Sequence, residues 1–262
     1  MRCNGRKSLL FSATSIRKRT TGIIAVNLWG NCCDIAGLEE IAARRGLKLL
    51  FDSAHAFGCS YQGRMIGNFG DAEVFSFHAT KFVNTFEGGA IVTNSDELAQ
   101  AARLMQNFGF TTYDQIACVG TNGKMSEVSA AMGLTNLESM SEFIDVNRRH
   151  HQQYAAELAG LGGVKVLAND QEEKCNYQYV VLELDAAQTV VSRDKLMQIL
   201  HHENILARRY FYPGCHRMKS YSSGLSLPET ERVADRVLSL PTGTSVTPAD
   251  ISVICGIIRL VV

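Results

Sequence analysis

The residues best suited to chemistry lie between residues 51 and 93 of the 262-residue chain. Asp52 follows the apolar run 47–51, and in an open parallel sheet ligands bind at the carboxyl ends of the strands. A carboxylate there can hold a cationic partner, although from position alone a side chain that caps its own loop is the commoner case. Lys81, in SFHATKF, follows the next candidate strand and has apolar neighbours. A sheltered lysine loses solvation, so its pKa falls and its neutral amine can form a Schiff base with an aldehyde or ketone.

Hydroxyl groups and glycines accompany this lysine. Ser76 and Thr80 offer hydroxyls suited to an anion such as phosphate, with ordinary strand-end hydrogen bonding as the alternative. Gly88 and Gly89 allow the backbone to approach a neighbour closely or to adopt a positive φ. A carboxylate, a ring, a hydroxyl and an amine on consecutive strand ends are the groups that pyridoxal phosphate requires. The sequence therefore predicts a site for pyridoxal phosphate.

This stretch resembles the DegT/DnrJ/StrS family of sugar aminotransferases, fold type I enzymes that use pyridoxal phosphate to aminate keto groups on nucleotide-linked sugars. The resemblance runs from about residue 16 to the C-terminus. It implies that Lys81 carries the cofactor in a Schiff base and later moves the proton between the cofactor carbon and the sugar carbon. It also implies that Asp52 keeps the pyridine nitrogen protonated. Because Lys81 is present, the related dehydratases that carry His in its place are disfavoured.

The same resemblance implies roles for further residues. His55 stands where the family often has a Gln that contacts the cofactor hydroxyl, and it is expected to stack or to form a hydrogen bond. Ser76 matches a phosphate ligand, and Asn122, in GTNGKMSEVSAAMG, matches an Asn that reaches the phosphate of the neighbouring subunit. That match implies a homodimer with shared active sites. RRYFYPGCH resembles a substrate-side loop, in which Tyr212 and His216 are the expected sugar contacts.

The implied reaction transfers an amino group from glutamate to a nucleotide-linked keto sugar, a dTDP-linked 4-keto-6-deoxyhexose. A fold type I enzyme that acts on amino acids is an alternative within the same class. Residues 1–15 do not resemble the N-terminal segment of the family, so the N-terminal part of the large domain is expected to be missing. A hypothesis of a different class follows: a non-catalytic, truncated remnant that keeps the dimer surface and binds a full-length relative.

Apolar runs alternate with amphipathic segments up to about residue 210, and all four prolines lie beyond it. This alternation predicts an α/β fold with a mostly parallel sheet flanked by helices, followed by a smaller C-terminal α/β domain. We expect a partial cofactor-binding domain at 1–141, and a connector helix with the small domain at 142–262. The predicted strands are 23–28, 47–51, 72–77, 90–93, one near 164, and 179–184. The predicted helices are 35–45, one capped by Ser95, 126–140, 142–161, 192–202, and a last one capped by Thr247.

The net charge and the spacing of the cysteines exclude several classes of binding partner. The chain has 26 basic and 26 acidic residues, so it has no broad positive field for nucleic acid or an anionic membrane. No apolar run is long enough to span a bilayer. The eight cysteines are scattered and lack the spacing of a metal site, which favours buried thiols in a reducing cytoplasm. His150 and His151 are expected on the surface of the long helix, without a ligand role.

Overall fold

The computed structural model describes residues 15–221 and 224–262. These residues form two compact units. The first comprises the described residues up to Glu142 together with Asn169–Asn176, and the second comprises Phe143–Ala168 and Tyr177–Val262. The division into domains at residue 142 stays a prediction from sequence.

A four-stranded sheet organises the first unit, in the order β1-β2-β5-β6. Its strands are β1 (Gly22–Val26), β2 (Lys48–Asp52), β5 (Ala72–Ser76) and β6 (Gly89–Val92). The first three run parallel, and the register aligns Val26 with Asp52 and Asp52 with Val74. The predicted, mostly parallel sheet is confirmed. β6 runs antiparallel to β5, because the chain returns from β5 through a loop without a crossover helix.

One face of this sheet carries the core of the first unit. Helix α1 (Ile35–Arg45) is capped at its start by Asp34, whose Oδ1 accepts a hydrogen bond from the Gly37 N–H, and at its end by Gly46 with φ 62°. The apolar side of α1 packs against the inward side chains of β2 and β5. The buried cluster contains Ile35, Leu38, Ala42, Leu49, Phe51, Ala56, Cys59, Ile66, Phe69 and Phe75.

The opposite face of the sheet remains exposed in the described residues. Ile24 and Val26 of β1 are 72% and 50% exposed, and Ile91 of β6 is 59% exposed. The register places Asp52 and Ser76 on this same face, at the carboxyl ends of β2 and β5. The side chains with candidate chemistry therefore lie on the face that is open.

Short hairpins and two capped helices complete the first unit. Ser95 and Ser126 cap their helices as predicted, each with its Oγ accepting a backbone N–H three residues on. The two short hairpins were not predicted, because two- and three-residue strands leave almost no alternating pattern. These elements are β3 (Ser60–Tyr61), β4 (Arg64–Met65), α2 (Asp96–Gln106), β7 (Phe110–Thr112), β8 (Gln115–Ile116) and α3 (Glu127–Glu138).

The second unit folds around a three-stranded antiparallel sheet in the order β11-β10-β9. Its buried core includes Tyr154, Leu182, Leu196 and Ile251. Its strands are β9 (Val164–Val166), β10 (Val180–Leu184) and β11 (Val237–Leu240). Its helices are α4 (Met140–Glu157), whose first turn lies before the unit begins, α5 (Arg193–His202), a 3₁₀ turn (Cys215–Arg217), α6 (Pro228–Ala234) and α7 (Pro248–Val261). None of these helices, and none elsewhere in the described chain, is long and apolar enough to cross a membrane.

The two histidines of α4 are buried, and not on the surface as predicted from the sequence. His150 and His151 are only 5% and 7% exposed, so the expectation of surface positions was wrong. The His151 ring lies 2.9 Å from the carbonyl oxygen of Leu167 through Nε2, and the His150 ring lies 3.3 Å from the Thr242 hydroxyl. Burial lowers the pKa of both rings. The helix presents these polar rings to its core side, where hydrogen bonds offset the loss of water.

Candidate active site

Asp52 is the last residue of β2 and is half-buried at the carboxyl end of the sheet. One of its oxygens, Oδ1, accepts a hydrogen bond from the Ala54 N–H at 3.1 Å. The loop-capping role considered from sequence is therefore present. This hydrogen bond uses one acceptor position on one oxygen of Asp52. A carboxylate has further acceptor positions, which can bind a cationic partner.

Lys81 lies in the loop that joins β5 to β6. The loop is closed at its base, where the Phe77 N–H donates to Gly88 O at 2.8 Å and the Thr85 N–H donates to Phe77 O at 2.9 Å. Burial lowers the pKa of the Lys81 amine, and the negative charge of Asp52 opposes that shift. The structure thus brings the predicted amine and the predicted carboxylate within electrostatic range, and desolvation increases the neutral fraction of the amine.

His55 belongs to the same group. It is 5% exposed, and its Nδ1 accepts the backbone N–H of Trp29 at 3.3 Å. Burial lowers the pKa of His55 to about 3, and the positive charge of Lys81 adds to the shift. The ring is therefore neutral near pH 7. Because Nδ1 is an acceptor, the single ring hydrogen is on Nε2.

Ser76 ends β5 on the sheet face that carries Asp52. Its Oγ accepts the His78 N–H at 3.4 Å, so it also takes part in the strand-end bonding considered from sequence. Across the ladder from it stands Gly89, where an added Cβ would lie 2.6 Å from Phe75 O. The close backbone approach predicted for Gly88 and Gly89 is confirmed, because a side chain at Gly89 would collide with β5.

Asn122 lies in a loop held against the end of α2. The Thr121 N–H donates to Met105 O at 2.8 Å, and the Gly123 N–H donates to Gln106 O at 2.9 Å. Asn122 itself is exposed. This backbone anchoring presents its side chain outward, and its role at the phosphate of a neighbouring subunit stays a prediction.

Tyr212 and His216 belong to the second unit. The Tyr212 ring faces two guanidinium groups, at 4.5 Å for Arg209 and 5.0 Å for Arg193. The His216 ring lies 3.1 Å from Glu231 through Nε2, and its side chain is only 6% exposed. This contact joins the loop that carries His216 to helix α6. Sugar contacts by the two residues stay a prediction.

Sequence reasoning missed several polar side chains around the strand ends. Asn176 donates from Nδ2 to His55 O and to Phe57 O, both at 3.0 Å, and so holds the turn after Asp52. Glu73 is 1% exposed inside β5. The one signal available beforehand was a charged residue within the apolar strand AEVFS, since a buried charge requires partners.

The chemistry of these groups fits pyridoxal phosphate. A desolvated amine, a carboxylate beside it, a neutral imidazole N–H and a strand-end hydroxyl are the donor set that this cofactor requires. In the described part of the chain, no cluster of His, Cys, Asp and Glu is arranged to hold a metal ion. Lys81, Asp52, His55 and Ser76 are the residues that could hold the cofactor.

Comparison with known proteins identifies the family to which the chain belongs. The DegT/DnrJ/EryC1/StrS aminotransferase family matches residues 12–259, and the chain belongs to this family. The fold type I architecture predicted from sequence is confirmed by solved relatives with TM-scores up to 0.90.

Among the relatives, a dTDP-4-amino-4,6-dideoxy-D-glucose transaminase of Shigella dysenteriae is 35% identical over 94% of this chain and 67% of its own. A dTDP-3-amino-3,4,6-trideoxy-alpha-D-glucose transaminase of Micromonospora megalomicea subsp. nigra is 34% identical over 87% of this chain and 62% of its own. The structure of DesI in the presence of its TDP-sugar product has a TM-score of 0.90 and 48% identity, covering 95% of this chain and 64% of that chain. The chain thus spans about two thirds of the length of these relatives.

Proposed function

We propose that this chain is a pyridoxal-phosphate-dependent aminotransferase that transfers an amino group from glutamate to a nucleotide-linked keto sugar, a dTDP-4-keto-6-deoxyhexose. The observation that carries this function is the Lys81 amine, whose pKa burial lowers, within range of the Asp52 carboxylate at the end of β2. The relatives named for dTDP-amino sugars, and the DesI structure with its TDP-sugar product, support the substrate class.

Each residue of the site has a defined task in this reaction. When bound, pyridoxal phosphate supplies an aldehyde and an electron-accepting ring. Lys81 would hold the cofactor through Nζ, with the aldehyde oxygen leaving as water, and the same Nζ would carry the proton that moves to and from the substrate carbon. Asp52 would keep a proton on the ring nitrogen. His55, through its Nε2–H, and Ser76, through Oγ, would be the hydrogen-bonding partners of the cofactor oxygen atoms.

The proposed assembly is a homodimer with shared active sites, located in the cytoplasm. Exposed apolar side chains of α3, Leu134 at 65% and Leu137 at 46%, support a second copy as the partner. Burial raises the pKa of the Cys32 and Cys255 thiols to about 12, which keeps them protonated and suits a reducing compartment.

The test is turnover by the purified chain supplied with pyridoxal phosphate, glutamate and a dTDP-4-keto-6-deoxyhexose. We expect stoichiometric 2-oxoglutarate and dTDP-amino sugar, both identified by mass. Lys81→Ala is expected to abolish both products, whereas Lys48→Ala, which alters an exposed lysine paired with Asp71, is expected to keep them. Transamination of free amino acids with no consumption of the keto sugar would contradict the substrate class.

A second candidate function is non-catalytic: the chain would use its dimer surface to bind a full-length member of the family. The open sheet face with Ile24, Val26 and Ile91 favours a protein partner of this kind. This function predicts a folded chain with no turnover in the same assay. Ordinary turnover by the chain alone would rule it out.

A further inference from the structure

Three buried polar side chains behind the candidate site have no task in the proposed reaction. Asn27 follows β1, Ser53 follows β2, and Glu73 lies within β5. Their exposed fractions are 0%, 0% and 1%. Together they connect the carboxyl ends of β1 and β2 with the first residues of β5, and we refer to them as the strand-end network.

The network is a continuous chain of hydrogen bonds. Asn27 Nδ2 donates to Ser53 Oγ at 2.9 Å, and Ser53 Oγ donates to Glu73 Oε2 at 2.7 Å. The other carboxylate oxygen, Oε1, accepts the N–H groups of Gly67 at 2.7 Å and Phe69 at 2.8 Å. Both oxygens of Glu73 therefore accept hydrogen bonds, one from a hydroxyl and the other from two backbone N–H groups.

The network encloses the peptide that carries Asp52. The Asn27 N–H donates to Asp52 O at 2.9 Å, so the residue that starts the network also fixes the backbone of Asp52. On the other side, the Ser53 N–H donates to Val74 O at 2.9 Å. The register points Asp52 to the open face of the sheet and Glu73 to the opposite face. The network therefore fixes the backbone at Asp52 and leaves its carboxylate accessible on the open face of the sheet.

Burial of a carboxyl group costs free energy, and apolar side chains of similar volume often stabilise a core as well or better. The neighbouring core of the sheet contains Leu49, Phe51 and Phe75. An apolar side chain in place of Glu73 would therefore suit its surroundings. What the polar network provides in addition is a fixed orientation of the strand ends, since each bond has a narrow range of distance and angle.

We propose that Asn27, Ser53 and Glu73 are positioning residues for Asp52: they hold its carboxylate where it meets the ring nitrogen of the cofactor. This inference rests on the proposed function. Loss of one member leaves a buried donor or acceptor without its partner and allows the end of β2 to shift. A displaced Asp52 then holds the ring-nitrogen proton less well.

The experiment compares uptake of pyridoxal phosphate by the full chain and by Ser53→Ala, Glu73→Gln and Leu49→Val variants. Leu49 is the matched control, because it lies on the same strand, is 2% exposed and is outside the network. Affinity is measured by titration of the cofactor absorbance, and folding by circular dichroism and thermal melting. Ser53→Ala is a small change that keeps the test informative if Glu73→Gln does not fold.

We expect both network variants to bind the cofactor about tenfold or more weakly than the wild type. We also expect the pH midpoint of the bound cofactor spectrum to move upward, because a ring nitrogen that loses its proton no longer repels a proton on the nitrogen of Lys81. Leu49→Val should lower the melting temperature and leave affinity and midpoint unchanged. A purely structural role of the network would move only the melting temperature.

Two results would contradict these expectations in different ways. Wild-type protein that takes up no pyridoxal phosphate would overturn the proposed function and this inference with it. If the wild type binds pyridoxal phosphate and Ser53→Ala binds it with the same affinity and the same pH midpoint, this inference is overturned and the proposed function is not.

Discussion

Lys81 and His55 show how one cause, burial, lowers the pKa of two neighbouring basic side chains. Removal of water disfavours the cation in each, so the pKa of both groups falls. Asp52 counteracts the shift at Lys81, whereas at His55 the nearby Lys81 charge adds to it. The result is a neutral imidazole that carries its hydrogen on Nε2, near an amine whose pKa is lower than that of an ordinary lysine.

The lowered pKa of His55 predicts acid sensitivity. Its pKa is about 3 in the fold, against about 6.5 for an ordinary histidine. Between these values the unfolded chain binds more protons than the folded chain, so stability falls as pH decreases through this window. His55→Gln removes this proton uptake, and we expect a flatter plot of melting temperature against pH between about pH 6.5 and 4.5. His150 and His151 remain in both proteins, so identical slopes for wild type and variant would show that His55 is not buried as described.

Phe86 combines a bulky side chain with a backbone conformation that favours glycine. Its φ is 62°, its side chain is 51% exposed, and it lies five residues after Lys81. A left-handed conformation costs a residue with a Cβ about 1–2 kcal/mol. We therefore expect Phe86→Gly to raise the free energy of unfolding by about 1 kcal/mol, measured by urea denaturation. Phe86→Ala keeps the Cβ and serves as the control, and equal stability of the Gly and Ala variants would refute strain at this position.

At the level of secondary structure, polar side chains at the helix starts provided the most reliable sequence signals. Ser95, Ser126, Ser192 and Thr247 each accept a backbone N–H in the first turn of a helix that begins at the next residue. The closing helix α7 has the fullest cap, because Asp250 also accepts the Thr247 N–H at 2.8 Å.

The cap of α7 gives a direct stability prediction. We expect Thr247→Ala to lower the free energy of unfolding by about 1 kcal/mol, because it leaves the Asp250 N–H without its acceptor. Thr247→Ser retains the hydroxyl and should stay within about 0.5 kcal/mol of the wild type. Chemical denaturation of the three proteins measures this difference. Equal losses for Ala and Ser would mean that the methyl group, and not the cap, stabilises the helix start.

Other elements could not be predicted because their causes lie in tertiary contacts. β6 was expected as a strand, but its antiparallel direction depends on the loop that carries Lys81, and no local pattern encodes direction. The burial of His150 and His151 depends on hydrogen-bond partners that lie outside the helix, at Thr242 and Leu167. α6 and β11 were missed because they contain only seven and four residues, which is too few for a clear periodic pattern.

At the scale of the whole molecule, the exposed apolar residues of the first unit indicate a protein partner. We predict a homodimer that the paired change Leu134→Glu and Leu137→Glu converts to a monomer, because both side chains are exposed on α3. Leu260→Glu, at an 86% exposed position of α7, is the control and should leave the dimer intact. Sedimentation velocity distinguishes the species, and a monomeric wild type would contradict the assembly.

The candidate site was more predictable from sequence than its supporting structure. Asp52, Ser76 and Lys81 follow or end buried strands, and the parallel sheet brings strand ends to one edge, so their proximity follows from the alternation of strands and helices. The supporting bonds of Glu73 and Asn176 join distant parts of the chain and have no spacing that a sequence reveals. Local pattern therefore predicts which groups can react, and tertiary packing determines how they are held.

In the proposed reaction, Lys81 is the residue that carries the cofactor. The most direct measurement is borohydride reduction of the purified chain with pyridoxal phosphate, followed by mass mapping of the modified peptide. We predict one stable adduct, on Lys81, that is absent from the Lys81→Ala variant. An adduct spread over exposed lysines such as Lys48, with Lys81 unmodified in folded protein, would contradict the account.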